Sequence, residues 1–217
     1  MNGKRKLILL CIAAAMVITL GGVGLYYWYN TSHFVSTEDA RVAGDFIKIT
    51  SEISGKLKEF DAVEGESLAK NQIVGRMSAD GLADSSIDKA LLRSPINGIL
   101  IKKQAGVGEF ISAGTALAVM VDPNQLYISA NIKETELNKI KVGQKVDIKI
   151  DQFGGRTFQG KVESIGEAAG SAFSLLPSSS SGTFTKVVQN VPVKIALEKI
   201  DVKVLPGTNA IVKIHLK

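Results

Sequence analysis

Residues 51–77 and 94–120 are two versions of one segment, aligned without a gap at a constant offset of 43. Eight pairs are identical: Ser51/Ser94, Ile53/Ile96, Gly55/Gly98, Leu57/Leu100, Ala62/Ala105, Gly65/Gly108, Glu66/Glu109 and Met77/Met120. Apolar character also persists at Leu68/Ile111 and Val74/Leu117. A repeat that preserves glycines and apolar spacing preserves turns and core faces, so each copy reads as one supersecondary half of a shared core. In each copy an extended segment (Ile47–Leu57; Leu91–Ile101) leads to a turn around Gly65 or Gly108. A second extended segment follows and ends at Met77 or Met120. Neither half can cover its own apolar face, so the two are expected to pack as a small sandwich.

The remainder of the chain beyond residue 30 also reads as strands. The chain has 21 glycines, and most of them punctuate short Val/Ile/Leu-containing runs, which argues for strands and turns over long helices. Thr31–Ser36 reads as a polar connection and Glu38–Lys48 as a strand. After Asp122-Pro123-Asn124 come the strand-like Leu126–Ile132, a short helix over Lys133–Ile140, and a further strand after Val142-Gly143-Gln144. More strand-like runs lie at Thr157–Ile165, Val187–Leu197 and Asn209–Leu216. A small antiparallel barrel is the economical architecture, because closure removes exposed edges. The expected division is a cytoplasmic start at 1–6, a transmembrane helix at 7–29, and a linker and strand joining the barrel at 30–46. The repeat domain then takes 47–122 and the barrel domain 123–217.

Leu7–Tyr29 carries no charge and, as a helix rising ~1.5 Å per residue, reaches roughly 35 Å, enough to cross a bilayer core. Lys4, Arg5 and Lys6 are expected to stay cytoplasmic, and Tyr26, Tyr27, Trp28 and Tyr29 stand where an interfacial aromatic belt belongs. Residues 30–217 would then be periplasmic or extracellular. A cleaved secretory signal competes with this reading, since Ala13, Ala14 and Ala15 are small. A signal's apolar core is usually ~7 to 15 residues, however, and this one runs further into bulky aromatics. Cys11 lies inside the apolar run, where Leu10 precedes it in place of the small residue of a lipoprotein signal.

The net charge of +5 is concentrated at the start of the chain: without Lys4, Arg5 and Lys6, 23 basic residues face 21 acidic ones. Nucleic-acid binding needs a clustered basic face and is not expected. One cysteine permits no disulfide framework within the chain, and His33 and His215, far apart in sequence, suggest neither a metal site nor a triad. No serine sits in a Gly-x-Ser-x-Gly elbow. Asp80/Asp84 and Glu134/Glu136 read as solvated acidic pairs, and Gly154-Gly155 reads as a turn, since no Lys-Ser/Thr follows it. The residues contain no catalytic constellation, and no enzyme activity, metal or cofactor is expected.

Ser94-Pro95-Ile96-Asn97-Gly98, Gly106-Val107-Gly108-Glu109 and Gly114-Thr115-Ala116-Leu117 resemble the biotinyl/lipoyl fold, whose halves are quasi-symmetric. Such modules can carry a swinging cofactor on a lysine, and Asp88-Lys89-Ala90 is similar to that lysine turn. Carriers hold the lysine at the tip of a tight hairpin, whereas about sixteen residues, Ser78–Arg93, separate the halves here. Lys89 also falls too close to Pro95 and Gly98. Ser85 and Asp88 have capping-box spacing, and Ile87, Ala90 and Leu91 give one apolar stripe, so a connecting loop with a short helix accounts for the segment.

A transmembrane start, a split lipoyl module and a barrel together resemble membrane fusion, or periplasmic adaptor, proteins of the HlyD type. Gly170-Ser171-Ala172-Phe173-Ser174-Leu175-Leu176-Pro177, Lys186-Val187-Val188-Gln189, Val191-Pro192-Val193-Lys194-Ile195, Asn131-Ile132-Lys133-Glu134-Thr135-Glu136 and Val142-Gly143-Gln144 look most like the EmrA branch. The resemblance implies an adaptor of a multidrug or small-molecule efflux system. Its partners would be the lipid bilayer, an inner-membrane exporter of the major facilitator type and further copies of itself. An adaptor of an ABC-type protein or peptide secretion system is the alternative, and a lipoyl or biotin carrier domain a third. Typical members insert a long α-helical hairpin between the lipoyl halves, and this chain has only Ser78–Arg93. Beside the polar insert Ser178–Ser181, Phe173, Leu175 and Leu176 are candidate transporter contacts, against the alternative of an ordinary barrel loop.

Overall fold

A computed structural model describes residues 3–78, 84–168, 188–198 and 201–216. Helix α1 (Gly3–His33) leads without a linker into β1 (Phe34–Ala43). The repeat region holds β2 (Phe46–Thr50), β3 (Gly55–Phe60), β4 (Ser67–Leu68), β5 (Ile73–Met77), β6 (Leu91–Arg93), β7 (Gly98–Lys103), β8 (Phe110–Ile111) and β9 (Ala116–Val121). There follow β10 (Tyr127–Lys133), β11 (Lys145–Ile150), β12 (Thr157–Ile165), β13 (Asn190–Leu197) and β14 (Asn209–His215). Two compact units result, one holding the helix and the barrel, the other the repeat region.

The repeat unit is a sandwich of two four-stranded sheets, ordered β2-β9-β7-β4 and β6-β5-β3-β8. Each sheet draws strands from both copies, so the halves interleave instead of forming two separate lobes. The exchange is held by matched pairs of backbone hydrogen bonds. Gly65 N–H donates to Leu100 O at 2.7 Å and Gly108 N–H to Leu57 O at 2.8 Å; Leu100 N–H donates to Glu66 O at 2.9 Å and Leu57 N–H to Glu109 O at 2.8 Å. Gly65 and Gly108 have φ of 88° and 95°, a left-handed conformation that an L side chain adopts only with strain. Glu66 Oε2 accepts from Val63 N–H (2.8 Å) and Glu109 Oε2 from Gly106 N–H (3.1 Å), so each repeated glutamate closes the turn before it. Leu57, Met77, Leu100, Leu117 and Met120 are fully buried between the sheets.

The barrel closes in the order β1-β10-β13-β12-β11-β14. Its strands alternate as half-buried antiparallel strands should: Val146, Ile148 and Ile150 on β11, Val191, Val193 and Ile195 on β13, and Ala210, Val212 and Ile214 on β14 point inward. At Gly160 on β12 an added Cβ would lie 2.6 Å from Ala196 O and 2.7 Å from Ile148 Cδ1, so only glycine allows this approach.

Three local expectations are revised. The polar connection at Thr31–Ser36 is absent, because the helix continues to His33 and β1 starts at once. Leu216 N–H donates to His33 O at 2.9 Å, which continues the β1–β14 ladder up to the helix end. The strand expected over Glu38–Lys48 is two strands, β1 and β2, broken at Gly44-Asp45. The helix expected over Lys133–Ile140 is a 3₁₀ turn, Glu134–Lys139. Between β5 and β6 the described part of the connection is another 3₁₀ turn, Asp84–Ala90.

Candidate functional site

Phe173, Leu175, Leu176 and the serine insert lie outside the described residues. Lys89 is in the last turn of Asp84–Ala90, next to Ala90, which is buried, and directly before β6. It therefore stands at the base of the connection. Asp88, assigned by its spacing to a capping box, instead pairs its Oδ1 with Arg93 Nη2 at 2.9 Å. Gly154 and Gly155 have φ of 34° and 91° and end the 3₁₀ turn Asp151–Phe153, as a turn requires. Among the described residues no group of three or more His, Cys, Asp or Glu could hold a metal.

What the fold does bring together is a continuous structure at the end of the helix. Cys11–His33 has mean hydropathy 1.6, and none of its most apolar window is buried against the protein. Ile18, Leu20, Leu25 and Trp28 are all exposed. A helix apolar on every side with no protein cover calls for a lipid environment.

At its last turn the helix is tied to the barrel. Tyr29 stacks on His33 with ring centroids 4.3 Å apart, and a His33 Nδ1···Tyr29 O contact of 2.9 Å holds the pair. Phe34, the first residue of β1, meets His215 edge-on at 4.9 Å. Lys213 Nζ lies 3.9 Å from the Phe34 ring centroid and donates to Asn30 Oδ1 at 2.9 Å, linking β14 to the helix.

The same face of β14 continues across the barrel's outer surface. Asp147 on β11 pairs with Lys213 in register, which makes His215 its diagonal neighbour. His215 Nε2 and Asp147 Oδ2 are 2.8 Å apart, and Gln159 Nε2 donates to Asp147 Oδ1 at 2.8 Å. Partial burial pushes the Asp147 carboxyl up, but hydrogen bonds from His215 and Gln159 and the charges of His215 and Lys213 outweigh it. The net effect holds it below 3.8. Nothing in the spacing of the two histidines pointed to this arrangement, because it depends on β11 and β14 being neighbours. The available signal was weaker: Asp147, Lys213 and His215 all occupy outward positions of alternating strands.

Beside the helix end lies an open groove of about 1100 Å³ whose lining includes Thr31, Ser32, Lys139, Lys141, Lys145 and Leu216. Its wall is the turn between the Glu134–Lys139 segment and β11. That turn is well held: Gln144 Oε1 accepts from Lys141 N–H at 2.9 Å, Gly143 N–H donates to Val162 O at 2.8 Å, and Ile140 is buried beneath it.

Residues 45–122 match the model of the YhbJ barrel-sandwich hybrid domain, and residues 126–214 that of the YknX-like β-barrel domain. The chain is 40% identical over 215 residues to YhbJ of Bacillus subtilis (strain 168), a proposed efflux system component, covering 99% of this chain and 94% of that protein. It is 38% identical over 128 residues to the colistin resistance protein EmrA of Acinetobacter baumannii, covering 57% of this chain but only 36% of that one. It thus spans about a third of that longer relative. Among solved structures, the membrane fusion protein Spr0693 from Streptococcus pneumoniae R6 superposes with a TM-score of 0.62 at 12% identity, over 85% of this chain and 99% of that one. At that identity the likeness is one of fold.

Proposed function

This chain belongs to the EmrA-like membrane fusion protein family, and we propose that it is the membrane-anchored adaptor subunit of a multidrug or small-molecule efflux system. The observation that carries the proposal is the uncovered apolar helix running directly into a closed barrel, in a chain related along nearly its full length to a proposed efflux component. The helix anchors the adaptor beside its transporter, with Lys4, Arg5 and Lys6 in the cytoplasm and residues 30–217 outside. The partner is an inner-membrane exporter of the major facilitator type, and Phe173, Leu175 and Leu176 are its candidate contacts. Several copies assemble around it. The chain makes and breaks no bonds; it acts by binding transporter states differently and aligning subunits.

β5 ends at Met77 and β6 begins at Leu91, so thirteen residues join the halves of the sandwich. A helical hairpin long enough to reach a distant channel has no room there. The adaptor therefore works at its own membrane, without an outer channel docked through such a hairpin. The test is efflux of a panel of cationic dyes and antibiotics from cells lacking this protein. Export should fall and be restored by the full chain. It should not be restored by residues 30–217 delivered behind a cleavable signal; full restoration by that secreted form would remove the anchor from the proposal.

A further inference from the structure

Thr31 and Ser32 in the groove lie three and four residues beyond Trp28, ~4.5 to 6 Å further along a helix. With Tyr26–Tyr29 at the interface, that distance puts the groove at the depth of the lipid headgroups, since these occupy roughly the outer 5 to 8 Å on each side of the hydrocarbon core. Its lining carries three lysines, Lys139, Lys141 and Lys145, and no carboxylate. All three are exposed, and among the described residues none is in an ion pair. Three like charges gathered on one turn repel one another unless an anion lies between them. Thr31, Ser32 and Asn138 add neutral hydrogen-bonding groups to the same lining. Val142, 65% exposed, stands between Lys141 and Gly143 as a largely uncovered apolar tip. A basic rim with an exposed aliphatic tip, at the exit of an apolar helix, matches the junction of phosphate headgroups and acyl chains.

We propose that this groove binds the headgroup of an anionic phospholipid in the outer half of the bilayer. Lys139, Lys141 and Lys145 neutralise the phosphate and Val142 enters the acyl boundary. The lipid would add a second point of attachment beside the helix end and so fix the barrel's orientation on the membrane surface. The inference rests on the anchored topology proposed above. A lysine near an anionic surface contributes roughly fivefold in affinity, so three together contribute on the order of a hundredfold at low salt.

The test is a titration of the full chain, held in uncharged detergent micelles, with phosphatidylglycerol and separately with phosphatidylcholine, bound lipid being counted by native mass spectrometry. Phosphatidylglycerol should bind at least tenfold more tightly. The triple variant Lys139→Gln/Lys141→Gln/Lys145→Gln should lose that preference while melting like the parent, since the three side chains are exposed. Lys48→Gln/Lys56→Gln/Lys102→Gln, on the sandwich unit, should keep it. Equal binding of the two lipids, or an equal loss in both triple variants, would overturn the site. Displacement of phosphatidylglycerol by millimolar inorganic phosphate would overturn the lipid assignment in favour of a free-anion site. Micelles have no sidedness, so the outcome is independent of topology. That reading fails separately if a thiol reagent confined to the outside cannot label a cysteine introduced at Lys161.

Discussion

Ser51 and Ser94 are the buried polar side chains of the described core, 1% and 0% exposed, and each donates to the carbonyl two residues on: Ser51 Oγ to Ile53 O at 2.6 Å, Ser94 Oγ to Ile96 O at 2.7 Å. Their identity across the repeat is thereby explained as a turn built twice. Ser94→Ala leaves the Ile96 carbonyl without this donor and should cost about 1–3 kcal/mol in denaturant unfolding. The pair Gly55/Gly98 was equally visible in the sequence, yet the two sites differ. A Cβ at Gly98 would lie 2.5 Å from Val121 O, whereas at Gly55 its nearest neighbour, Ser78 O, is at 3.4 Å. Gly98→Ala should therefore destabilise by about 1–3 kcal/mol and Gly55→Ala by clearly less, measured side by side. Asp147 supplies the pH dependence. Its folded pKa is depressed, so the stabilisation it contributes is present above the ordinary carboxyl value and disappears as pH falls through the folded one. Asp147→Asn should be less stable than the parent at neutral pH, with the difference shrinking below 3.8. Residue identity could be read from the repeat; the differing surroundings of Gly55 and Gly98 could not, because Ser78 and Val121 lie more than twenty positions away in sequence.

At the scale of elements, the alternation of Val146, Ile148 and Ile150 or of Val191, Val193 and Ile195 was legible, since a period of two is a local property of a half-buried strand. The interleaving of the repeat halves was not. It is set by pairings such as Ser67↔Ile99 and Gly55↔Ile111, between strands of two residues and strands of six, which carry no local pattern of their own. The helix end departs from its local sequence pattern for a related reason. Thr31–Ser36 has the look of a polar connection, but Asn30 just before it is engaged by Lys213 and the His33 carbonyl by Leu216, both from the far end of the chain. The junction makes a specific prediction. Lys213→Met keeps the aliphatic stem but removes the donor to Asn30 and the charge over Phe34. It should loosen the helix end, raising amide exchange at residues 30–34 severalfold with the barrel's melting temperature nearly unchanged.

For the whole molecule, an internal duplication at first suggests a cofactor carrier, and the interleaved sandwich with Lys89 at the base of its connection supports a scaffold instead. The architecture of anchor, barrel and sandwich was legible because each part has its own periodicity: uninterrupted apolar, alternating, and repeated at a fixed offset. The groove was not, since its lysines line a cavity only once the turn at residues 138–145 comes to lie beside residues 31 and 32 of the helix. The central property proposed for this chain is that it holds an exporter in the membrane. Its most direct test is affinity purification of the tagged full chain from its native membrane in mild detergent, with the co-purifying proteins identified by mass spectrometry. A polytopic exporter of the major facilitator type is expected in defined stoichiometry with several copies of this chain. Recovery of the chain with an ATP-binding cassette transporter, or with no transporter under conditions that preserve other membrane complexes, would contradict it.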